Sequence, residues 1–97
     1  MTREEMEAIF NGDEHDEEFL KFDRVERKRS QRPDLHAFLL LDEIVPGRAD
    51  IVCAAEHDEI FLDVDLDDLA AKATREQIVE LVRCGVRLDH EGLAMFA

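Results

Sequence analysis

From Glu59 to Asp68 the chain reads EIFLDVDLDD, and apolar and acidic side chains alternate with a period of two. Ile60, Leu62, Val64 and Leu66 fall on one side, and Glu59, Asp63 and Asp65, with Phe61 among them, fall on the other. Successive side chains of a strand point to opposite faces, so the stretch predicts a strand with one buried face and a row of carboxylates outside. The preceding DIVCAA predicts its partner, with Glu56, His57 and Asp58 at the turn, giving a hairpin over about 50–65. The tail VRLDHEGLAMF predicts a second hairpin over 86–96. In it Val86 to Leu88 pairs with Leu93 to Phe96 across Asp89-His90-Glu91-Gly92.

Helical periodicity occupies the rest. Thr2 followed by Glu5 is a capping-box pattern, and Met6, Ile9 and Phe10 at helical spacing precede Asn11-Gly12, a stop signal. The like-charge block DEHDEE at 13–18 has no apolar anchor and reads as linker or loop. Phe19, Phe22 and Val25 then sketch a weak helical face that ends before Pro33. Leu35 to Val45, LHAFLLLDEIV, predicts a helix with Asp34 as N-cap, Pro46-Gly47 as terminator, and Leu35, Phe38, Leu39 and Asp42 on one face. After a short helical or irregular lead-in over Leu66 to Ala73, Thr74 and Gln77 form a second capping box. That box opens a helix over about 74–84, with Ile78, Leu81 and Val82 on its stripe and Gly85 suited to the left-handed C′ position.

Two hairpins separated by a helix and preceded by helices specify an α+β fold: a small antiparallel sheet with the helices 35–45 and 74–84 on one face, plus a short N-terminal helix. Composition divides the chain into a charged N-terminal segment, 1–32, helical or partly disordered, and a globular domain, 33–97. Ninety-seven residues is one domain's length, and a chain of that size buries roughly 60–68% of its unfolded surface without metal or disulfide support. No apolar run approaches the ~18 residues that cross a bilayer, and the amphipathic, charged N-terminus does not resemble a signal peptide. A cytoplasmic protein is the expectation. Nine Arg against three Lys suggests GC-rich bacterial or phage coding.

Charge narrows the partners. The net charge of −13 disfavours direct contact with nucleic acid or an anionic membrane and favours basic surfaces. It is unevenly spread: residues 1–18 carry −7, residues 21–32 carry +4, and residues 33–97 carry −10. The basic segment KFDRVERKRSQR, with Lys21, Arg24, Arg27, Lys28 and Arg29, is expected to be neutralised mainly within the molecule, with a second partner patch as the alternative.

Candidate chemistry is sparse. Asp63, Asp65 and Asp67 copy the one-three-five spacing of a calcium loop, but its sixth position would be Asp68 instead of Gly and its twelfth Thr74 instead of Glu, so they are weak metal candidates. Cys53, His57, Cys84 and His90 resemble a two-cysteine, two-histidine zinc set only superficially, because Cys53 and His57 are roughly 13 Å apart in an extended strand at ~3.3 Å per residue. Both cysteines sit in apolar periodic segments and read as buried hydrophobes. Asp42, Glu43 and Asp63 are the only acids with hydrophobic flanks suited to proton transfer, and a solvated helix end and strand face account for them. Ser30 lies in the basic segment, Thr2 and Thr74 read as caps, and no phosphate loop or cofactor motif is present. No cofactor is implied.

The favoured reading is therefore a small, non-catalytic acidic module that docks a basic protein surface through Glu59, Phe61, Asp63 and Asp65. A sharper version is a nucleic-acid mimic that inhibits a DNA- or RNA-handling protein, because alternate carboxylates on a strand repeat at about 6.7 Å, near the spacing of phosphates. A divalent-metal enzyme using Asp63 to Asp68 is the alternative from another class. Homodimerisation, through an edge strand or the Leu35 to Val45 segment, is a further one.

Overall fold

In the computed structural model, which describes residues 1–47, 49–89 and 92–96, both capping boxes open helices as the sequence predicts. Helix α1, Arg3–Asn11, starts with Thr2 Oγ1 accepting the Glu5 N–H at 3.1 Å and Glu5 Oε1 accepting the Thr2 N–H at 3.0 Å. The reciprocal pair Thr74 and Gln77 starts Arg75–Arg83, the last helix of the chain, at 3.2 and 2.9 Å. That helix closes on Gly85 at φ +96°. The Gly85 N–H reaches Val82 O at 2.9 Å and the Val86 N–H reaches Leu81 O at 3.0 Å, which satisfies two terminal carbonyls.

Three further helices form between these two, and two of them depart from expectation. Asp13–Glu18, α2, is helical where the like-charge block predicts linker. Its Glu18 is held by Arg24 and Arg83, and the His15 ring stacks on Phe19 at 4.6 Å, so long-range contacts offset repulsion that is modest in a solvated turn. The weak helix expected over Phe19 to Ser30 reduces to a single 3₁₀ turn, Phe22–Arg24. Leu20 lies at φ +63°, a left-handed conformation that no right-handed helix can pass through.

Helix α3, Pro33–Ile44, begins two residues before the expected start, with Pro33 in the first turn, where its missing N–H loses no hydrogen bond. Asp34 is inside the helix instead of capping it. The face also differs. His36, Ala37, Leu40, Leu41 and Ile44 are buried, whereas Leu35, Leu39 and Asp42 are exposed and Phe38 is half-buried. A continuous apolar run fixes the presence of a helix but not which stripe faces inward. The lead-in over Leu66 to Ala73 resolves into α4, Leu66–Lys72, and the Arg75–Arg83 helix is α5.

The strands β1, Val52–Glu56, β2, Glu59–Leu62, β3, Arg87–Leu88, and β4, Leu93–Phe96, form one antiparallel sheet in the order β1-β2-β4-β3. The two predicted hairpins are thus joined through their second strands. His57 and Asp58, both at positive φ, make the two-residue turn that matches strand twist. His90 and Glu91 of the second turn lie outside the described residues. Cross-strand pairs sort the faces: Ile60 is opposite Met95 and Leu62 opposite Leu93 towards the core, while Glu59 is opposite Phe96 and Phe61 opposite Ala94 on the outer side.

Met6, Ile9 and Phe10 of α1 are within 3% of full burial and share one cluster with Leu40, Leu41, Leu69, Ile78, Leu81 and Leu93. The radius of gyration, 12.1 Å, is that of a single body of this length, for which ~12.5 Å is expected. No helix among the described residues is long and apolar enough to cross a membrane. Because the N-terminal helix completes the core, Phe10→Ala lowers unfolding free energy by about 3–5 kcal/mol in a single cooperative transition. Urea denaturation followed by circular dichroism measures it, and an unchanged midpoint would show that α1 is peripheral.

Candidate functional site

The acidic strand stops earlier than its periodicity suggests. Strand β2 ends at Leu62, because the Asp63 N–H turns to Ile51 O at 2.7 Å and the Val64 N–H closes on Leu62 O at 3.1 Å. Gly92 lies against this turn, where a Cβ would come within 3.0 Å of Leu62 O, so the close approach of the second hairpin depends on its missing side chain. Asp65 then caps α4, its Oδ1 accepting the Asp67 and Asp68 N–H groups at 2.9 and 3.0 Å. An aspartate immediately before an apolar helical stripe serves a cap as well as a strand, and here the cap satisfies orphan N–H groups.

The residues predicted for partner binding are consequently not one row. Glu59 is ion-paired to Arg87 across the outer face, and the Arg87 guanidinium lies over the Phe96 ring at 4.8 Å. Phe61 is half-buried, and Asp65 is committed to its cap. Asp63 alone of the four presents an exposed carboxylate without a side-chain partner among the described residues. The phosphate-like repeat therefore does not continue beyond Leu62. The weak metal candidates diverge as well: Asp67 pairs with Arg3 at 3.4 Å while Asp65 faces its own backbone. No group of three or more metal-type ligands converges among the described residues.

Around Asp63 the fold assembles carboxylates that sequence spacing cannot relate. A depression of about 70 Å³ places Asp42, from the end of α3, and Asp50 over an apolar floor of Leu41, Val45 and Ile51. On the other side, a depression of about 270 Å³ runs past Phe61 and Leu93 to Asp89. Asp63 and Val64 line both. The result is an acidic saddle with apolar flanks. Such a surface accepts a Lys or Arg side chain by laying its aliphatic stem on the floor and its cation against carboxylates.

Part of the basic segment is neutralised inside the molecule. Arg24 pairs with Glu18 at 2.9 Å, Arg29 pairs with Glu43, and Lys28 bonds Val25 O at 2.9 Å while sitting 5.2 Å from the Phe22 ring centroid. Arg27 enters a mixed-charge cleft of about 350 Å³ with Glu26, Glu76, Glu80 and Arg83. Behind that cleft stands a residue the sequence pattern does not single out. His36 is fully buried; its Nδ1 accepts the Arg29 N–H at 3.0 Å, leaving Nε2 to donate to Glu80 Oε1 at 3.0 Å. Forty-four residues separate the pair, so only its placement on the buried stripe of α3 could have signalled it.

Cys53 is exposed on β1, contrary to the buried role expected of it, because a bulge between Val52 and Ala54 turns it outward, its Sγ–H donating to Phe61 O at 3.3 Å. Cys84 is buried, and burial pushes its thiol up to about 12. No protein-family model matches the chain, and no curated protein or solved structure matches it either.

Two outcomes follow from this electrostatic layout. A thiol reagent at pH 8 modifies Cys53 in the native protein and reaches Cys84 only after denaturation, since the thiolate is the nucleophile; two fast equivalents under native conditions would contradict the burial. The Arg83 hydrogen bond, helped by the Arg83 and Arg24 charges, holds the Glu18 carboxyl below the usual carboxylate range. Its pKa is thus lower folded than unfolded, so its contribution is present above ~4.3 and is lost as pH falls through the folded value. Melting temperature measured between pH 6 and pH 3 falls less steeply in Glu18→Gln than in the wild type.

Proposed function

We propose that this protein is a small acidic interaction module that docks a basic partner surface on the saddle centred on Asp63. The observation that carries this reading is the convergence of Asp42, Asp50, Asp63 and Asp89 on two adjoining depressions with apolar floors. Internal pairing within the basic segment supports it too, because Arg24 and Arg29 are spent against Glu18 and Glu43 while Asp42, Asp50 and Asp63 of the saddle are exposed. A long-range field from a net charge of −13 steers a cationic partner towards the molecule, and the saddle gives the encounter a defined seat.

The partner's contribution is then one or two Lys or Arg side chains with neighbouring apolar contacts. The test is isothermal titration of a Lys- and Arg-rich peptide against the wild type and the triple variant Asp42→Asn, Asp50→Asn, Asp63→Asn. At ~0.5–1 kcal/mol for each exposed charge pair, the variant binds roughly 10- to 100-fold more weakly. Wild-type affinity also falls as salt is raised. Equal binding by both proteins, or affinity that ignores ionic strength, refutes the proposal.

A further inference from the structure

His36 is the one buried polar or charged side chain among the described residues, and it stands between three parts of the fold. It projects from the buried stripe of α3 to meet α5 on one side and, on the other, the residues 25–32, which form neither helix nor strand. Its two ring nitrogens are used differently. Nδ1 accepts the Arg29 N–H at 3.0 Å, Nε2 donates to Glu80 Oε1 at 3.0 Å, and the Phe22 ring meets the imidazole edge-on at 5.7 Å. An acceptor at Nδ1 requires the neutral ring with its proton on Nε2, because an imidazolium has N–H donors at both positions and accepts nothing.

The bond from Arg29 to His36 ties the backbone of this irregular segment to α3. Val25, 2% exposed, pins the start of the segment, and Pro33 opens the helix at its end. Between them, Lys28 bonds Val25 O and Ser30 Oγ accepts the Arg32 N–H, both within the segment itself. The Arg29 side chain pairs with Glu43, but both partners are exposed, and an exposed pair adds little.

The charges around the ring decide what a second proton does. Glu80 is the carboxylate in contact with it, and Glu76 and Arg83 of α5 line the cleft in front, where Arg83 already binds Glu18. Glu26 and Arg27 form the opposite wall, and Lys28 lies beyond the Phe22 ring. Cys84, beside Glu80, is pushed up to about 12 by burial and stays neutral. A second proton must enter at Nδ1, where it sets donor against donor and removes the acceptor of the Arg29 N–H. At Nε2 the same proton turns the existing bond to Glu80 into a charge-assisted one. Glu80 thus makes the cation tolerable in a buried position while the Arg29 bond is lost.

We propose that His36 is an acid-sensitive latch, whose protonation at Nδ1 frees the Arg29 backbone and detaches residues 26–32 from α3 while the pairing of α3 with α5 persists. Histidine is the side chain whose charge ordinarily changes between pH 5 and 8, so the latch is closed in neutral solution and opens on mild acidification. Opening removes the Glu26 and Arg27 wall of a cleft of about 350 Å³ and releases Arg27, Lys28 and Arg29 from the body of the protein. The latch uses none of the residues of the Asp63 saddle.

Nuclear magnetic resonance of the ¹⁵N-labelled full chain between pH 8 and pH 5 tests it. Long-range spectra of the imidazoles report the tautomer and protonation of His36, and amide exchange, corrected for its intrinsic pH dependence, reports Arg29 and Leu81. At pH 8 His36 carries its proton on Nε2. As it gains the second, the Arg29 amide shifts with the same midpoint and loses roughly tenfold in protection, the equivalent of one hydrogen bond, while Leu81 in α5 stays protected. In His36→Asn, whose side-chain carbonyl still accepts but does not titrate, Arg29 protection is flat with pH. Glu80→Gln, which keeps the hydrogen bond and removes the charge that favours the imidazolium, needs stronger acid to open the latch. A proton on Nδ1 at pH 8, a ring that stays neutral to pH 5, or protonation that leaves the Arg29 amide unmoved overturns the proposal. Simultaneous loss of protection at Arg29 and Leu81, or an Arg29 response unchanged in a folded His36→Asn, overturns it as well.

Discussion

Helix α5 is the element against which the others are oriented. Ile78, Leu81 and Val82 are almost wholly buried, and α1, α2, α3 and the 3₁₀ turn all pack on this one helix. Hydrophobic burial is non-directional and could be satisfied by many arrangements of short amphipathic helices. Direction comes from the polar residues of α5: Glu80 receives the buried His36 of α3, and Arg83 binds Glu18 of α2. Removing either partner would leave a poorly solvated charge or polar group, so the pairs discriminate against alternative packings more than they add net stability.

The same pairs decide where charge is left over. Residues 21–32 carry half of the Lys and Arg side chains, and the fold turns two of them, Arg24 and Arg29, onto Glu18 and Glu43. Arg87, on the outer face of the sheet, is likewise consumed by Glu59 and by the Phe96 ring. The surplus of carboxylates appears elsewhere, at the junction of β2, the end of α3 and β3. Among the described residues the chain is therefore not uniformly acidic in space: its unpaired carboxylates gather around Asp63.

What the sequence made legible is what four to ten consecutive residues can determine. Thr2 with Glu5, Thr74 with Gln77, and Gly85 act through neighbouring backbone groups, and they begin and end helices as their spacing implies. The hairpin at His57-Asp58 and the inward side of Ile60 and Leu62 are local in the same sense. Features that depend on distant partners were not legible. Asp13 to Glu18 looks like a linker until Arg83, sixty-five positions beyond Glu18, is brought beside it. Asp65 looks like a strand residue because a strand and an N-cap both place it in extended backbone, and only the following turn of helix decides. At the candidate site Asp63 was readable from alternation, whereas Asp50 and Asp89 join it only through the fold.

One inserted residue sets which way β1 faces. In a regular strand Val52 and Ala54 would share a face, yet Val52 is opposite the inward Leu62 and Ala54 opposite the outward Phe61, because the register shifts at Cys53. Val52 can therefore pack against the core while Ile51, immediately before it, keeps its carbonyl on the Asp63 N–H beside the acidic saddle. Without the bulge, holding Val52 inward would turn Ala54 inward and Ala55 outward, breaking the pairing that carries the strand to the turn at His57. β1 is also the edge of the sheet, with Cys53 to Glu56 exposed, and edge elements with few buried contacts open at lower free energy than the core.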